Sequence, residues 1–345
     1  MRPAPAAGNP RRRPDNTGER KTEMKKIIAV LLALALTMSA ALCLAEDQVT
    51  IRLGGLKGPT TMGMVKLLED NANGETELKY EFTMAAMADE LTPQLLKGDL
   101  DILAVPANLG AVLYSKSNGG VQMIAVNALG LIYVVEKGGE SIQSLEDLAG
   151  KTVYATGKGS TPEYVLTYLL AQHGLTLGTD VQVEWKSEPT EVVAQMATEK
   201  QSVAMLPQPF VTVASNQLEN LRVALDLTEE WKALDNGSQL VTAGLIIRKA
   251  FAEEHPEAVT KFLEEYAAST AFANEHVEEA AQLIEKYDIV KAAIAQKALP
   301  FCNIVCVTGE DMVQMTTGYF QVLYDQNPAS LGGAMPEADF FWTHE

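Results

Sequence analysis

Short β-branched runs alternate along the chain with stretches whose apolar residues recur at helical spacing. The first such unit is a predicted strand at 49–53, a Gly/Pro turn at 54–59 and a helix at 60–70, and Asn73-Gly74 predicts the end of that helical region. Alternation of this kind is typical of an α/β protein with mostly parallel sheets.

The alternation forms two series of strands and helices. The first series continues with predicted strands at 78–83, 101–105 and 121–126 and helices at 89–97 and 108–115. The second has predicted strands at 132–135, 152–155, 181–185, 203–206 and 221–224 and helices at 161–173, 190–200 and 209–216. A strand at 241–247 follows, and beyond it the pattern predicts only helices.

Two series of elements predict two lobes. We expect the chain to leave the first lobe near 128–130 and to return near 242–244. Residues 46–128 and 243–345 then form lobe 1, and residues 129–242 form lobe 2. Two strands that join two lobes make a hinge, and hinge closure is a common way to capture a small solute.

The first 45 residues differ in character from the rest. They hold eight of the 27 basic and three of the 45 acidic residues, so residues 46–345 carry 19 basic and 42 acidic ones, a net charge of −23. Met24-Lys25-Lys26, an apolar run at 27–38 and small residues up to Ala45 predict an export signal at 24–45. Residues 1–23 are interpreted as a non-native extension or the product of a start codon placed too early.

Two alternatives to cleavage after Ala45 stay open. Residues 27–45 are long enough to span a bilayer as an uncleaved anchor, although the run is Ala-rich and is interrupted by Thr37 and Ser39. Lipidation of Cys43 is the other alternative, although Leu42 stands where a lipobox has a small residue. In each case we expect the body of the protein in the periplasm or on the outer face of the membrane.

Composition and spacing exclude several classes of function. The acidity of residues 46–345 argues against binding to nucleic acid phosphates. The chain has no P-loop and no dinucleotide fingerprint. No nucleophile or metal-ligand spacing accompanies the four histidines, which are His173, His255, His276 and His344. We therefore expect no catalysis, no metal and no cofactor.

Cys302 and Cys306 are the only cysteines beyond residue 45. In a straight strand their Cα atoms would lie about 13 Å apart, too far for a disulfide, so a bridge requires a loop or a helical turn. Two buried thiols and a disulfide both stay open as interpretations.

Two loops carry the strongest local signals for binding. Residues 57–63 and residues 157–162 each follow a predicted strand with small polar residues at a helix start, where free backbone N–H groups face outward. If the lobes face each other, both helix starts converge on one cleft. The alternative is that Thr60, Thr61, Ser160 and Thr161 are ordinary helix caps, which is compatible with ligand contact.

The chain also resembles the solute-binding proteins of ABC importers in the nitrate, sulfonate, taurine and thiamine-precursor group. The resemblance covers nearly all of residues 46–345 and rests on several short segments together. These are residues 57–60, 98–102, 105–108, 144–151, 157–162, 190–193, 206–210, 326–328 and 332–333.

This resemblance implies a type II periplasmic-binding fold, with two lobes joined by a two-strand hinge, that delivers a small solute to the permease subunits of an ABC importer. It implies a pocket built from the loops at strand ends. The corresponding residues are Lys57, Pro59, Thr60, Thr61, Pro106, Ala107, Asn108, Gly159, Ser160, Thr161, Gln208 and Thr242. For Asn108 and Gln208 a turn-stabilising amide is the alternative interpretation.

The ligand class stays open at this point. No arginine lies in any candidate loop, and Lys57 is the one well-placed cation, with Lys158 less so. An anion of the sulfonate or nitrate kind is one hypothesis. We expect a monomer, and the rival hypothesis is an enzyme on the same fold, similar to pyrimidine-precursor synthases or to menaquinone-pathway dehydratases.

Overall fold

The computed structural model describes residues 49–343 of the chain. The predicted extension at 1–23, the export signal at 24–45 and the lipidation of Cys43 lie outside these residues and stay predictions. Within residues 49–343, none of the helices combines the length and the apolar character that crossing a bilayer requires.

Eleven strands in the described part of the chain form two sheets. The strands are β1 (Thr50–Leu56), β2 (Lys79–Ala85), β3 (Ile102–Pro106), β4 (Val121–Leu129), β5 (Ile132–Lys137), β6 (Thr152–Ala155), β7 (Gln182–Trp185), β8 (Ser202–Pro207), β9 (Leu221–Asp226), β10 (Val241–Arg248) and β11 (Ile304–Val307). The six-stranded sheet has the order β11-β4-β10-β3-β1-β2, and the five-stranded sheet has the order β7-β6-β8-β5-β9. We refer to these sheets and the helices attached to them as the six-stranded lobe and the five-stranded lobe.

Helices follow most of the strands. They are α1 (Pro59–Met62), α2 (Val65–Asn73), α3 (Ala88–Lys97), α4 (Ala107–Lys116), α5 (Thr161–Gln172), α6 (Pro189–Thr198), α7 (Phe210–Gln217), α8 (Leu227–Ala233), α9 (Lys249–Glu254), α10 (Pro256–Glu275), α11 (Val277–Lys286), α12 (Ala292–Ala298) and α13 (Gly309–Gln326). Short 3₁₀ turns lie at Leu145–Leu148, Leu299–Phe301, Pro328–Leu331 and Ala338–Phe340.

The prediction of mostly parallel sheets is wrong, because both sheets are mixed. β1 runs parallel to β2 and β3, and β6 runs parallel to β7 and β8. β10 is antiparallel to β3 and β4, β11 to β4, and β5 to β8 and β9. The reason is the path of the chain between the sheets. The chain leaves the six-stranded sheet through β4 and enters the five-stranded sheet through β5, and it returns from β9 to β10. Because β4 lies beside β10 and β5 beside β9, the outgoing and returning strands pair antiparallel.

Two further predictions need correction. The helix predicted at 60–70 is interrupted at Gly63, whose carbonyl accepts a hydrogen bond from Ser269 on α10 at 2.7 Å instead of continuing the helical pattern. The region after β10 is not all helical, because β11 adds to the edge of the six-stranded sheet beside β4. Both differences arise from contacts between residues distant in sequence, which a local sequence pattern does not predict.

The hydrophobic core extends from the six-stranded lobe into the five-stranded lobe. β4 is buried along nearly its whole length, as expected for a strand covered on both faces. One continuous apolar cluster includes Val126 of β4, Val134 of β5 and Tyr319 of α13. The two lobes are therefore packed through shared apolar contacts as well as through the chain crossings.

Candidate functional site

The predicted site loops lie at the carboxyl ends of strands in both sheets. The end of β1 leads into α1, β3 into α4, β6 into α5 and β8 into α7. This is the edge at which open α/β sheets bind ligands, because the loops there are free of the ladder and the helix starts point toward the same edge.

The loops of the two lobes meet at Asn108 and Thr161. The Thr161 hydroxyl, at the start of α5, donates a hydrogen bond to Oδ1 of Asn108, in the first turn of α4, at 3.1 Å. Asn108 Nδ2 donates to the carbonyl of Ser330 at 3.3 Å. Asn108 is 3% and Thr161 1% exposed, so this contact between lobes is closed to solvent.

Tyr319 of α13 is fully buried and interacts with Thr161. Burial raises the pKa of Tyr319, and its interaction with the Thr161 hydroxyl opposes the rise only in part. Burial also raises the pKa of Tyr164, with the charge of Glu163 acting in the same direction. Both phenols are therefore neutral at physiological pH and supply hydrogen-bonding and apolar surface rather than charge.

In the loop after β1, the threonine side chains bind their own turn. Thr61 Oγ1 donates to the Leu56 carbonyl at 2.6 Å, and Thr60 Oγ1 reaches the same oxygen at 3.3 Å. The N-cap position of α1 is Gly58, so these threonines are not the caps of that helix. Thr61 is fully buried, whereas Thr60 is half-buried.

The loop after β6 places Ser160 at the N-cap of α5, but its hydroxyl makes no capping hydrogen bond. Gly157 and Gly159 have φ of 84° and 75°, in the left-handed region that favours glycine. The Gly159 N–H donates to Oε2 of Glu163, one turn into the helix, at 2.5 Å. The two glycines therefore set the backbone conformation of the loop, and the hydrogen bond to the Glu163 carboxylate stabilises it.

Lys57 lies at the outer side of its loop. Its Nζ is 3.2 Å from Oδ2 of Asp288, and its side chain is 44% exposed. Pro59 is the first residue of α1, where a missing N–H costs no helical hydrogen bond.

The remaining predicted residues lie at the ends of β3, β8 and the return strand β10. Gln208 Oε1 accepts from the hydroxyl of Thr212 at 3.0 Å, which fits its interpretation as a turn-stabilising amide on the acceptor side. Pro106 pairs with Ala243 in the β3–β10 ladder, and Ala107 beside it is buried.

Thr242 is skipped in the register between β10 and β4, and its buried Oγ1 has no hydrogen-bond partner within residues 49–343. Such a bulge re-aims a side chain.

Asn127 is a site-forming residue that the sequence analysis missed. It is fully buried on β4, and its Nδ2 donates to the Thr60 carbonyl at 3.1 Å. Its Oδ1 has no hydrogen-bond partner in the described part of the chain. A signal was available, because an amide inside the apolar run of β4 needs a reason to be buried.

The histidines and cysteines of residues 49–343 form neither a metal-binding cluster nor a disulfide. No group of three or more His, Cys, Asp or Glu side chains in residues 49–343 could hold a metal ion. His173 pairs with Glu146 at 2.8 Å, and His276 lies 3.6 Å from Glu279, both on the surface. Cys302 and Cys306 are free thiols, the first buried and the second half-buried, so the disulfide alternative is not formed.

Comparison with known proteins gives a family and a fold. The family model of the ABC transporter, phosphonate, periplasmic substrate-binding protein matches residues 64–298. No curated protein was found to match the chain.

Solved structures share the two-lobe fold. An ABC transporter from Parabacteroides distasonis has a TM-score of 0.72 at 21% identity, covering 86% of this chain and 99% of that one. The periplasmic aliphatic sulphonate binding protein SsuA from Escherichia coli has a TM-score of 0.68 at 16% identity, covering 85% and 92%. The periplasmic nitrate-binding protein NrtA from Synechocystis PCC 6803 has a TM-score of 0.53 at 16% identity, covering 72% and 69%. The expected type II periplasmic-binding fold is confirmed.

Proposed function

The chain belongs to the family of ABC-transporter periplasmic substrate-binding proteins, and we propose that it captures its solute between the two lobes, at the strand-end loops. Members of this family work outside the cytoplasm, bind a small solute and act with an ABC permease. They are binding proteins rather than enzymes, so the rival hypothesis of an enzyme on this fold finds no support.

One observation carries the proposed site, namely the hydrogen bond from Thr161 to Asn108. It brings together loops that begin on different sheets, as a site shared between two lobes requires. The proposed ligand-binding set is the one expected from the sequence, and it comprises Lys57, Pro59, Thr60, Thr61, Pro106, Ala107, Asn108, Gly159, Ser160, Thr161, Gln208 and Thr242.

We propose a hinge at the two chain crossings. The proposed outgoing crossing at 128–130 spans the end of β4 and Gly130, which leads into β5, and Thr242 lies at the start of the return strand β10. The lobe boundaries that go with this hinge are 46–128 with 243–345 for one lobe and 129–242 for the other. Export through residues 24–45, a monomeric state and, as the alternative ending of the export signal, lipidation of Cys43 belong to the same proposal.

A thermal-shift screen tests the proposed site. The exported protein is tested with nitrate, small sulfonates, carboxylates and pyrimidines, because a ligand that binds only the folded state raises Tm as its concentration rises. Ser160→Trp, in the half-buried cap of α5, should abolish any such shift. Ser215→Trp, on an exposed position of α7, is the matched control and should keep it. A shift that survives Ser160→Trp rejects this site.

A further inference from the structure

All three arginines of residues 49–343 are engaged by buried carboxylates. Arg52 Nη2 and Arg248 Nη2 lie 2.6 and 2.8 Å from Oδ1 of Asp101, whose side chain is 1% exposed. Burial opposes ionisation of Asp101, but the hydrogen bonds from Arg52 and Arg248 outweigh it and lower the pKa of this carboxyl. These two guanidinium groups therefore neutralise a buried charge.

The third arginine also neutralises a buried carboxylate, in the five-stranded sheet. Arg222 Nη2 lies 2.6 Å from Oε2 of Glu136, whose side chain is 5% exposed. Asp101 precedes β3 and Arg248 ends β10, while Glu136 is near the end of β5 and Arg222 near the start of β9. Both clusters thus lie at the sheet edges opposite the strand-end loops. None of the three guanidinium groups is placed to hold a ligand there.

The lysines of the candidate loops do not replace them. Lys57 is paired with Asp288 at the surface. Lys158 is exposed to solvent, where its attraction for an anion is weak and screened by salt.

The loop after β6 is also poorly suited to an anion. Glu163 in the first turn of α5 accepts the Gly159 N–H, which is a donor that an anion at this helix start would need. The Glu163 carboxylate also offsets the positive end of the helix dipole and repels a second negative charge.

Uncharged hydrogen-bond donors and acceptors remain available to a solute. Gln208 Nε2 forms no hydrogen bond within residues 49–343, while its Oε1 is held by Thr212. The Ser160 hydroxyl makes no capping bond, and the buried Oγ1 of Thr242 has no partner in the same part of the chain. An amide donor and two hydroxyls can satisfy a solute that both donates and accepts hydrogen bonds.

We propose that the solute is an uncharged polar molecule with both donor and acceptor groups, recognised by neutral side chains rather than by a cation. This inference rests on the proposed function, since it concerns the solute of the same site. The physical reason is that a buried anion needs a compensating charge. The arginines and Lys57 are paired with carboxylates elsewhere, and Glu163 places a negative charge at the start of α5.

The experiment identifies the solute that the protein retains from a mixture of small molecules. Cells express the full chain, and the exported protein is purified, unfolded in urea to release any bound solute and refolded. It is then incubated with the small-molecule ultrafiltrate of yeast extract, washed and denatured, and the released molecules are identified by mass spectrometry. Ser160→Trp is treated in parallel, and nitrate, methanesulfonate and methylphosphonate are added singly in thermal-shift assays.

We expect an uncharged solute to be retained about tenfold above the Ser160→Trp variant, with a Kd that does not change between low and high salt. None of the three anions should raise Tm. Retention of an anionic solute, or a rise in Tm with one of the anions that Ser160→Trp removes, overturns the inference while leaving the proposed function intact. Equal retention by the wild type and Ser160→Trp overturns the proposed site, and the inference falls with it.

Discussion

The hydroxyl of Thr161 donates a hydrogen bond to Oδ1 of Asn108 at 3.1 Å and so joins two residues 53 positions apart, on different lobes. Both side chains are buried, so neither partner can turn to water when the other is removed. The bond therefore ties the approach of the lobes to the geometry of the proposed site.

Thr161→Val should cost about 1–3 kcal/mol of unfolding free energy, because it leaves Asn108 Oδ1 buried without a donor. The same change should raise the radius of gyration in small-angle X-ray scattering, since the lobes lose a contact that holds them together. Thr167→Val, on the same helix, removes only a bond to the Glu163 carbonyl and is the matched control. Equal urea midpoints and equal radii for the two variants would contradict this role.

Asn127→Leu should loosen the loop after β1, because the Thr60 carbonyl loses its donor. We expect a loss of about 1–3 kcal/mol in urea unfolding together with weaker binding of whichever solute raises Tm. Gln122→Leu is the control on the same strand, since Gln122 donates to the Asp339 carbonyl away from the site. Gln122→Leu should lower stability without changing the affinity for that solute. Equal affinities for the two variants would contradict a role of Asn127 in binding.

Gly130→Ala should destabilise the crossing between β4 and β5. A Cβ at this position would lie 2.0 Å from Oγ1 and 2.8 Å from Cβ of Thr228, so one of the two segments must move. We expect a loss of about 1–3 kcal/mol. Thr228→Gly in the same chain removes all three contacting atoms and should restore part of that loss, as measured by a double-mutant cycle. Additive effects of the two substitutions would refute the proposed clash.

Stability at low pH should depend on Glu136. Burial opposes ionisation, but hydrogen bonds from Ser141, Arg222 and Ile142 lower the pKa of Glu136 from 4.5 to about 2. Because the folded-state pKa is the lower one, this carboxylate contributes its full stability above pH 4.5 and loses it as the pH falls toward about 2.

Glu136→Gln should therefore lower the unfolding free energy at about pH 6 and flatten its decline toward about pH 3. Glu140→Gln, at an exposed neighbouring position, should leave the pH profile unchanged. Parallel profiles for the wild type and Glu136→Gln would show that Glu136 does not control acid stability.

The two thiols should stay reduced and unreactive in the folded protein. Burial raises the pKa of Cys302 to about 12 and that of Cys306 to about 11, so little thiolate exists at neutral pH. In a Cys43→Ser background, Ellman's reagent should react slowly with the native protein and should count both thiols after unfolding. A count of zero in the unfolded protein would mean that a disulfide has formed.

Elements with strong local signals were predictable. The strand predicted at 152–155 is β6 (Thr152–Ala155), and the helix start predicted at residue 161 is that of α5. Gly, Ser and Pro around residues 157–162 fix this boundary through backbone geometry, which needs no distant partner.

Elements that depend on distant contacts were not predictable. The interruption at Gly63 depends on Ser269, more than 200 residues away, and β11 exists because its backbone pairs with β4. Asn127 belongs to the site only through its bond to the Thr60 carbonyl. The ligand-binding role of the twelve proposed residues stays a prediction.

The sequence by itself determined the alternation of strands and helices, the chemistry of the strand-end loops and the absence of arginine from them. These are properties of composition and local spacing, and they do not depend on how the chain crosses itself. Only the tertiary structure decided that Asn108 meets Thr161, that outgoing and returning strands make both sheets mixed, and that Arg52, Arg222 and Arg248 neutralise buried carboxylates at the opposite sheet edges. The physical reason is that each of these features is a contact between residues far apart in sequence, which exists only once the core has brought them together.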